Sequence, residues 1–282
     1  MHWHGHLHLA YRIDHSSGAA RCIVADRHDG PLRVLAALHP EAPTVCHSVL
    51  MHPPGGMAGG DRLDVNITLY EHSHALITTP GATRFYRSAG EPAAQSVRAQ
   101  LADGARLEWL PLETLVYTAA LAESRCVFEL APGAEMMGRD VVALGLPAAA
   151  QPFERGHFTQ HIELPGVWLE RGTLAAADTA LLDSPLGLAG RRVLATQWFA
   201  AGQALSDERR TALLDAARSA DVADADASLV LHGSTSPHAQ LVVLRALAHR
   251  VEPAVNLLNR VWAAWRQLAW DLPACAPRVW RT

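Results

Sequence analysis

The sequence predicts a mainly β protein, a body of stacked sheets with two helices confined to its C-terminal third. Three observations predict it. Apolar and polar residues alternate with period two in one short segment after another. Gly, Pro, Asp and Asn separate those segments at short intervals. The first clear helical periodicity begins only at Ser206. With 282 residues, 49% of them apolar and 18% charged, the chain can bury a large core, and no linker, repeat or low-complexity stretch divides it. A single domain over residues 1–282 is expected.

Taken in order, Trp3, Gly5, Leu7, Leu9 and Tyr11 alternate with His2, His4, His6 and His8, so a first strand carries four histidines on one face and an apolar set on the other. Imidazoles at i and i+2 can share a nickel, copper or zinc ion, which makes these histidines candidate auxiliary metal ligands. A solvated face near a chain terminus accounts for the same pattern. Strands follow at 21–25 and 32–38, split by the turn Asp29-Gly30-Pro31, and at 44–51. Over 61–70, Leu63, Val65, Ile67 and Leu69 point inward while Asp64, Asn66 and Thr68 point outward. Further strands are expected at 75–79, 96–101, 106–110, 112–117, 124–130, 135–144, 156–164, 166–175 and 192–200.

Ser206 is a natural N-cap for a helix over 206–220, with Asp207 and Glu208 at its positive end and Leu213, Leu214 and Ala217 as its apolar stripe. Residues 228–232 and 240–247 read as a hairpin around 234–237. Pro253, suited to a first helical position, opens a second helix to Trp270, with Val255, Leu258, Val261, Trp262, Trp265 and Leu268 on one side.

Composition removes whole classes of chemistry. The 24 basic residues are all arginine, which excludes a Schiff-base, P-loop or kinase lysine. A net charge of −4 gives no electrostatic footprint for nucleic acid. Cys22, Cys46, Cys126 and Cys275 are scattered, with no Cys-x-x-Cys, as reduced thiols would be. No apolar run approaches the ~18 residues of a membrane span and no signal peptide is visible, so a cytoplasmic protein without membrane or nucleic-acid partners is expected. Sixteen histidines and several carboxylates in strand patterns raise the alternative of a metal-dependent hydrolase or oxygenase on a β-rich fold. Neither His-Glu-x-x-His nor Gly-x-Ser-x-Gly supports it.

The stretch from Pro43 to Ser88 organises the chain. Gly55-Gly56 and Gly59-Gly60 flank Met57-Ala58, which lets the backbone take positive φ twice within a few residues and lets another segment approach closely. His52-Pro53-Pro54-Gly55-Gly56, then Gly59-Gly60-Asp61-Arg62-Leu63, then Leu76-Ile77-Thr78-Thr79-Pro80-Gly81-Ala82-Thr83-Arg84-Phe85-Tyr86-Arg87-Ser88 resemble, in order and spacing, the urease accessory proteins of the UreD (UreH) family. Leu107-Glu108-Trp109-Leu110-Pro111-Leu112-Glu113, the Asp140–Gly145 run with Phe153-Glu154-Arg155-Gly156, Leu169-Glu170-Arg171 and Pro277-Arg278-Val279-Trp280 extend the resemblance over nearly the whole chain. Leu112 stands where glutamine is usual. Beside the central motif this chain has Arg139 and Leu146 where a tryptophan and often an arginine are expected.

The resemblance implies a non-catalytic urease maturation factor, built as a β-helix-like stack of many short antiparallel strands with two helices. It implies apo-urease, a UreF-type adaptor and a UreG-type GTPase as partners. It implies no tightly bound cofactor, only nickel in transit along a water-filled passage. Such a route needs ligands that hold an ion weakly and release it. Asp140, Glu170, Cys46 and Thr78 resemble positions along that passage or near its mouth, and Asp61 joins them as an acidic residue just after the glycines. Each has a plain structural reading too: a surface ion pair for Glu170, a turn cap for Asp140 or Asp61, a small buried hydrophobe for Cys46, a strand residue for Thr78. Trp270 and Trp280 are candidate partner-binding side chains, whereas Trp262 and Trp265 suit the core of the second helix.

Overall fold

The structure, a computed structural model, describes residues 2–16, 18–220 and 230–281. One sheet contains β1 (His4–Asp14), β2 (Arg21–Asp29), β5 (Arg62–Leu69), β8 (Ala93–Leu101), β11 (Ala120–Leu130), β13 (Gly156–Leu164) and β14 (Trp168–Ala175), in the spatial order β14-β13-β11-β8-β5-β1-β2. The second contains β3 (Arg33–Leu38), β4 (Val45–Met51), β6 (His74–Thr78), β9 (Arg106–Trp109), β12 (Glu135–Leu144), β15 (Val193–Ala201), β16 (Val230–His238) and β17 (Leu241–Ala248), in the order β16-β17-β15-β12-β9-β6-β4-β3. Two short strands, β7 (Thr83–Phe85) and β10 (Thr114–Val116), join it through β12.

Between β5 and β13 the chain runs repeatedly from one sheet to the other, so each turn lays a strand on the previous one in each sheet. Successive strands therefore run parallel: β1–β5, β5–β8, β8–β11 and β11–β13 in the first sheet, β4–β6, β6–β9 and β9–β12 in the second. The solenoid-like β architecture stands, but the expected antiparallel stack does not. Among the described strands, antiparallel pairing is confined to the ends: β1–β2 and β13–β14 in one sheet, β3–β4, β12–β15, β15–β17 and β16–β17 in the other. Period-two alternation is the same in both pairings, so the sequence pattern carried no direction.

Two cores result. Leu7, Leu9, Tyr11, Val65, Ile67, Val97, Phe128, Phe158, Trp198 and Val243 meet between the sheets. Leu76, Met137, Val141, Phe199, Val242 and Leu244 cover the other face of the second sheet together with α2 (Asp207–Arg218) and α3 (Val251–Trp270). Ser206 caps α2 by accepting from the Arg209 N–H at 3.2 Å, as its position predicts. Helix α3 begins at Val251, so Pro253 is its third residue rather than its first. Trp262 and Trp265 are buried in this second core, as the helix pattern predicts.

Two local expectations change. The segment 234–237 is not a turn: β16 continues to His238, with a register irregularity between Thr235 and His238. Pro237 is accommodated because β16 is an edge strand. Residues 228 and 229 of the expected hairpin lie outside the described residues. A one-turn helix, α1 (Thr179–Asp183), capped by Asp178, had no periodic signal because it is too short to show one. No described helix is long and apolar enough to cross a membrane.

Candidate functional site

Strand β12 separates the two cores, and alternation assigns its side chains. Met136, Gly138, Asp140, Val142 and Leu144 face the first sheet, while Met137, Arg139, Val141 and Ala143 face the helices. Asp140 is thus a carboxylate on an inter-sheet face. Its neighbours across the second sheet are Thr196 on β15 and then Arg245 on β17. From the opposite sheet Gln160 on β13 donates its side-chain N–H to Asp140 Oδ2 at 2.5 Å. Glu170 on β14 accepts from Arg245, Nε to Oε1 at 3.3 Å and Nη2 to Oε2.

Burial pushes the Asp140 carboxyl up to about 6; the Gln160 hydrogen bond opposes this and the nearby Glu170 charge adds to it. Cys126, also on the inter-sheet face, has its thiol raised by burial and by Asp140. The cluster opens to solvent at the edge of the sheets, where Arg245 is about half exposed and the Glu170 side chain is 24% exposed. Two carboxylates and an amide oxygen can hold a hard or borderline cation loosely once the Arg245 guanidinium moves off Glu170. Of the proposed site residues, the structure brings together Asp140 and Glu170.

The other three lie elsewhere. Asp61 organises the glycine loop, with Oδ1 accepting from Trp3 N and Oδ2 from Ala58 N, each at 2.8 Å. Cys46 is fully buried between the sheets, and desolvation pushes its thiol up to about 12, so it is no ready thiolate. Thr78 faces the helices, donating to Leu110 O and accepting from Trp280 Nε1. Trp270 and Trp280, candidates for partner binding, turn inward: Trp270 donates to Glu135 Oε2 at 2.6 Å, and Trp280 packs on Trp262 with Arg139 over its ring.

The glycine-rich stretch behaves as its composition predicts. Gly55 and Gly60 take φ of 77° and 90°, while Gly56 and Gly59 make room for Tyr86 and Ser88. Met57 pairs with Phe85 across the loop, so this segment and the threonine-rich one after β6 close on each other. They line a cavity of about 230 Å³ with Leu50, Val65, Gln95 and Trp109. His52 also lines it; its Nε2 is buried without a hydrogen-bond partner, and burial lowers its pKa against the pull of Asp61.

Sequence reasoning missed a second polar cluster on the helix face of the second sheet. Glu108 is fully buried, accepting from His74 Nε2 at 2.8 Å and from Trp262 Nε1 at 2.5 Å. Arg266 of α3 bonds Glu41 at 2.5 Å and lies 3.7 Å from Glu108, and His47 reaches Glu41 at 2.7 Å. Burial would raise the Glu41 carboxyl, but His47 and Arg266 outweigh it and hold it below its ordinary value. Arg139, an unexpected residue by resemblance, ties α3 to the sheet: it donates to Pro111 O at 2.8 Å and to Asn259 Oδ1 at 2.9 Å. Only the neighbouring apolar alternation could have flagged Glu108, since its partners are distant in sequence.

Fold and site together define a β-solenoid scaffold with a carboxylate pair between its sheets and a helical layer locked on one face. A family model described as "UreD urease accessory protein" matches residues 4–281, and the chain belongs to this family. It is 58% identical over 282 residues to a urease accessory protein UreD of Leptothrix cholodnii and 57% identical to one of Variovorax paradoxus, with full coverage of both chains in each case. A counterpart from Paracidovorax citrulli is 56% identical over 280 residues, 99% of each chain. The chain is therefore a non-catalytic accessory factor in urease maturation and works with the components of that process.

Proposed function

We propose that this chain binds apo-urease and, with a UreF-type adaptor and a UreG-type GTPase, supports nickel insertion by passing the ion along the inter-sheet edge at Asp140 and Glu170. Nickel is cargo here, not a resident cofactor. The observation that carries the reading is the Asp140–Glu170 pair, with Gln160 on Asp140 and with Arg245 on Glu170 at an end that water reaches. A carboxylate with a pKa near 6 exchanges a proton for a cation at little cost around neutrality. Arg245 supplies a counter-charge that can move aside when a cation reaches Glu170.

Cys46, Asp61 and Thr78 take no part in the proposal, because their polar atoms are buried or engaged in the fold. The test is urease activity and nickel content in a host carrying the complete urease operon. It compares the intact gene, its deletion, and Asp140→Ala with Glu170→Ala, with adaptor and urease capture checked by pull-down. Variants that assemble but leave urease poor in nickel support the passage. Nickel-loaded, active urease with both variants would remove these carboxylates from it.

A further inference from the structure

We infer that His4, His6 and Asp64 form an exchangeable surface site for a divalent transition-metal ion on the outer face of the first sheet. The site lies on the opposite side of that sheet from the inter-sheet space and does not depend on the proposed passage.

The alternation of β1 puts His4, His6 and His8 outward, and all three are exposed while Gly5, Leu7 and Leu9 are buried. The parallel register with β5 then sets Asp64 directly beside His6. Residues paired across strands project on the same face, so His6 and Asp64 share one surface. His4 Nε2 lies 3.0 Å from Asp64 Oδ2, and His6 Nδ1 lies 3.6 Å from the same oxygen. The three donor atoms all fall within 4.8 Å of one another. Ligands bound at about 2.0–2.1 Å sit about 2.9–3.4 Å apart in octahedral or tetrahedral geometry, so a small rotation of His6 completes the triad. The His4 and His6 rings are already together, with centroids 4.1 Å apart.

The surroundings explain why the site stops at these three. Asp29 on β2 pairs with His6 from the other side and adds negative charge. At the other end, His8 is flanked by Arg27 and Asn66, with Arg98 next along the same row, and its ring meets Thr68 Oγ1 at 3.3 Å. His2 is occupied by Gly59 O and Glu91. Two imidazoles and one carboxylate suit Zn²⁺, Ni²⁺ or Cu²⁺ over Mg²⁺ or Ca²⁺. With only three protein ligands, water fills the remaining positions and the ion can leave.

The test uses the full, untagged chain with Asp140→Asn and Glu170→Gln as background, titrated with Ni²⁺ and Zn²⁺ by calorimetry. Wild-type surface residues are expected to give one site per chain. Loss of an outer-shell partner alone costs about 10–100-fold, so His6→Ala and Asp64→Asn are each expected to weaken binding at least about tenfold. His8→Ala is expected to leave affinity unchanged. Cu²⁺ used as a spin probe should show coupling to two nitrogens. Absence of binding, Asp64→Asn binding as the parent does, His8→Ala weakening it like His6→Ala, or coupling to more than two nitrogens would each overturn the site. His6, His8 and Asp64 all lie on the outer face of the sheet, and unchanged circular dichroism of each variant relative to the background protein separates ligand loss from misfolding.

Discussion

The two faces of the second sheet carry two polar clusters of opposite design. On the helix side, the carboxylates of Glu41 and Glu108 lie little exposed or fully buried and take their partners from His47, His74 and Arg266, with Trp262 completing Glu108, although Arg266 keeps Nε and Nη1 without a hydrogen bond. On the inter-sheet side, Asp140 has one side-chain donor, Gln160, and Glu170 has Arg245 at an edge that water reaches. The first arrangement neutralises charge to fix a helix in place. The second leaves charge under-compensated, which costs stability and gives a cation something to bind. Burial alone does not distinguish a functional carboxylate; the completeness of its partnering does.

Breaking the closed cluster has the largest expected effect. Arg266→Ala leaves Glu41 and Glu108 buried without their cation, and urea denaturation should show a loss of about 3–5 kcal/mol. A loss under 1 kcal/mol would mean the cluster is not what holds α3.

Asp140→Asn should act in the opposite direction. Burial raises its folded carboxyl from the ordinary 3.8 to about 6, so the folded chain binds the extra proton between those values and stability falls as pH rises through that window. The substitution should flatten that window and stabilise the protein by up to about 3 kcal/mol at neutral pH. It should at the same time lower the nickel content of urease in cells. A variant both less stable and fully functional would reverse the comparison.

Smaller effects sharpen it. The Glu41 carboxyl is held low by His47 and Arg266, so its contribution is present above 4.5 and is lost as pH falls through the lowered folded value. Glu41→Gln should therefore reduce the acid sensitivity of thermal unfolding below pH 4.5, and below 3.8 Asp140→Asn should have no such effect. Glu170→Gln removes only an edge ion pair and should change stability by roughly 0–1 kcal/mol, while still reducing nickel delivery.

Much of this was legible in the residues, and what was not has a common cause. Alternation gave the strands and their faces, including the outward His4, His6 and His8, and the glycine spacing gave the positive φ at Gly55 and Gly60. Strand direction was invisible, because alternation is blind to it. Partners brought together by the stack were also invisible: Asp64 stands 60 residues from His4, and Arg266 stands 225 from Glu41. Pro237 misled through its local chemistry, since a turn former on an edge strand has no ladder bond to lose.

The parallel stack also sets a clock. Strand β1 cannot complete its surface until β5 exists, and at about 5–20 residues per second a ribosome supplies the intervening 60 residues in roughly 3–12 s. During that interval β2, the next strand made, can already cover one edge of β1 by local antiparallel pairing. The other edge waits, apolar and unpaired, and each later rung, whose partner lies closer in sequence, imposes a shorter wait on the strand before it. Yield of this protein in a cell should therefore respond to how long its growing end stays open, and a chaperone that shields strand edges should raise it.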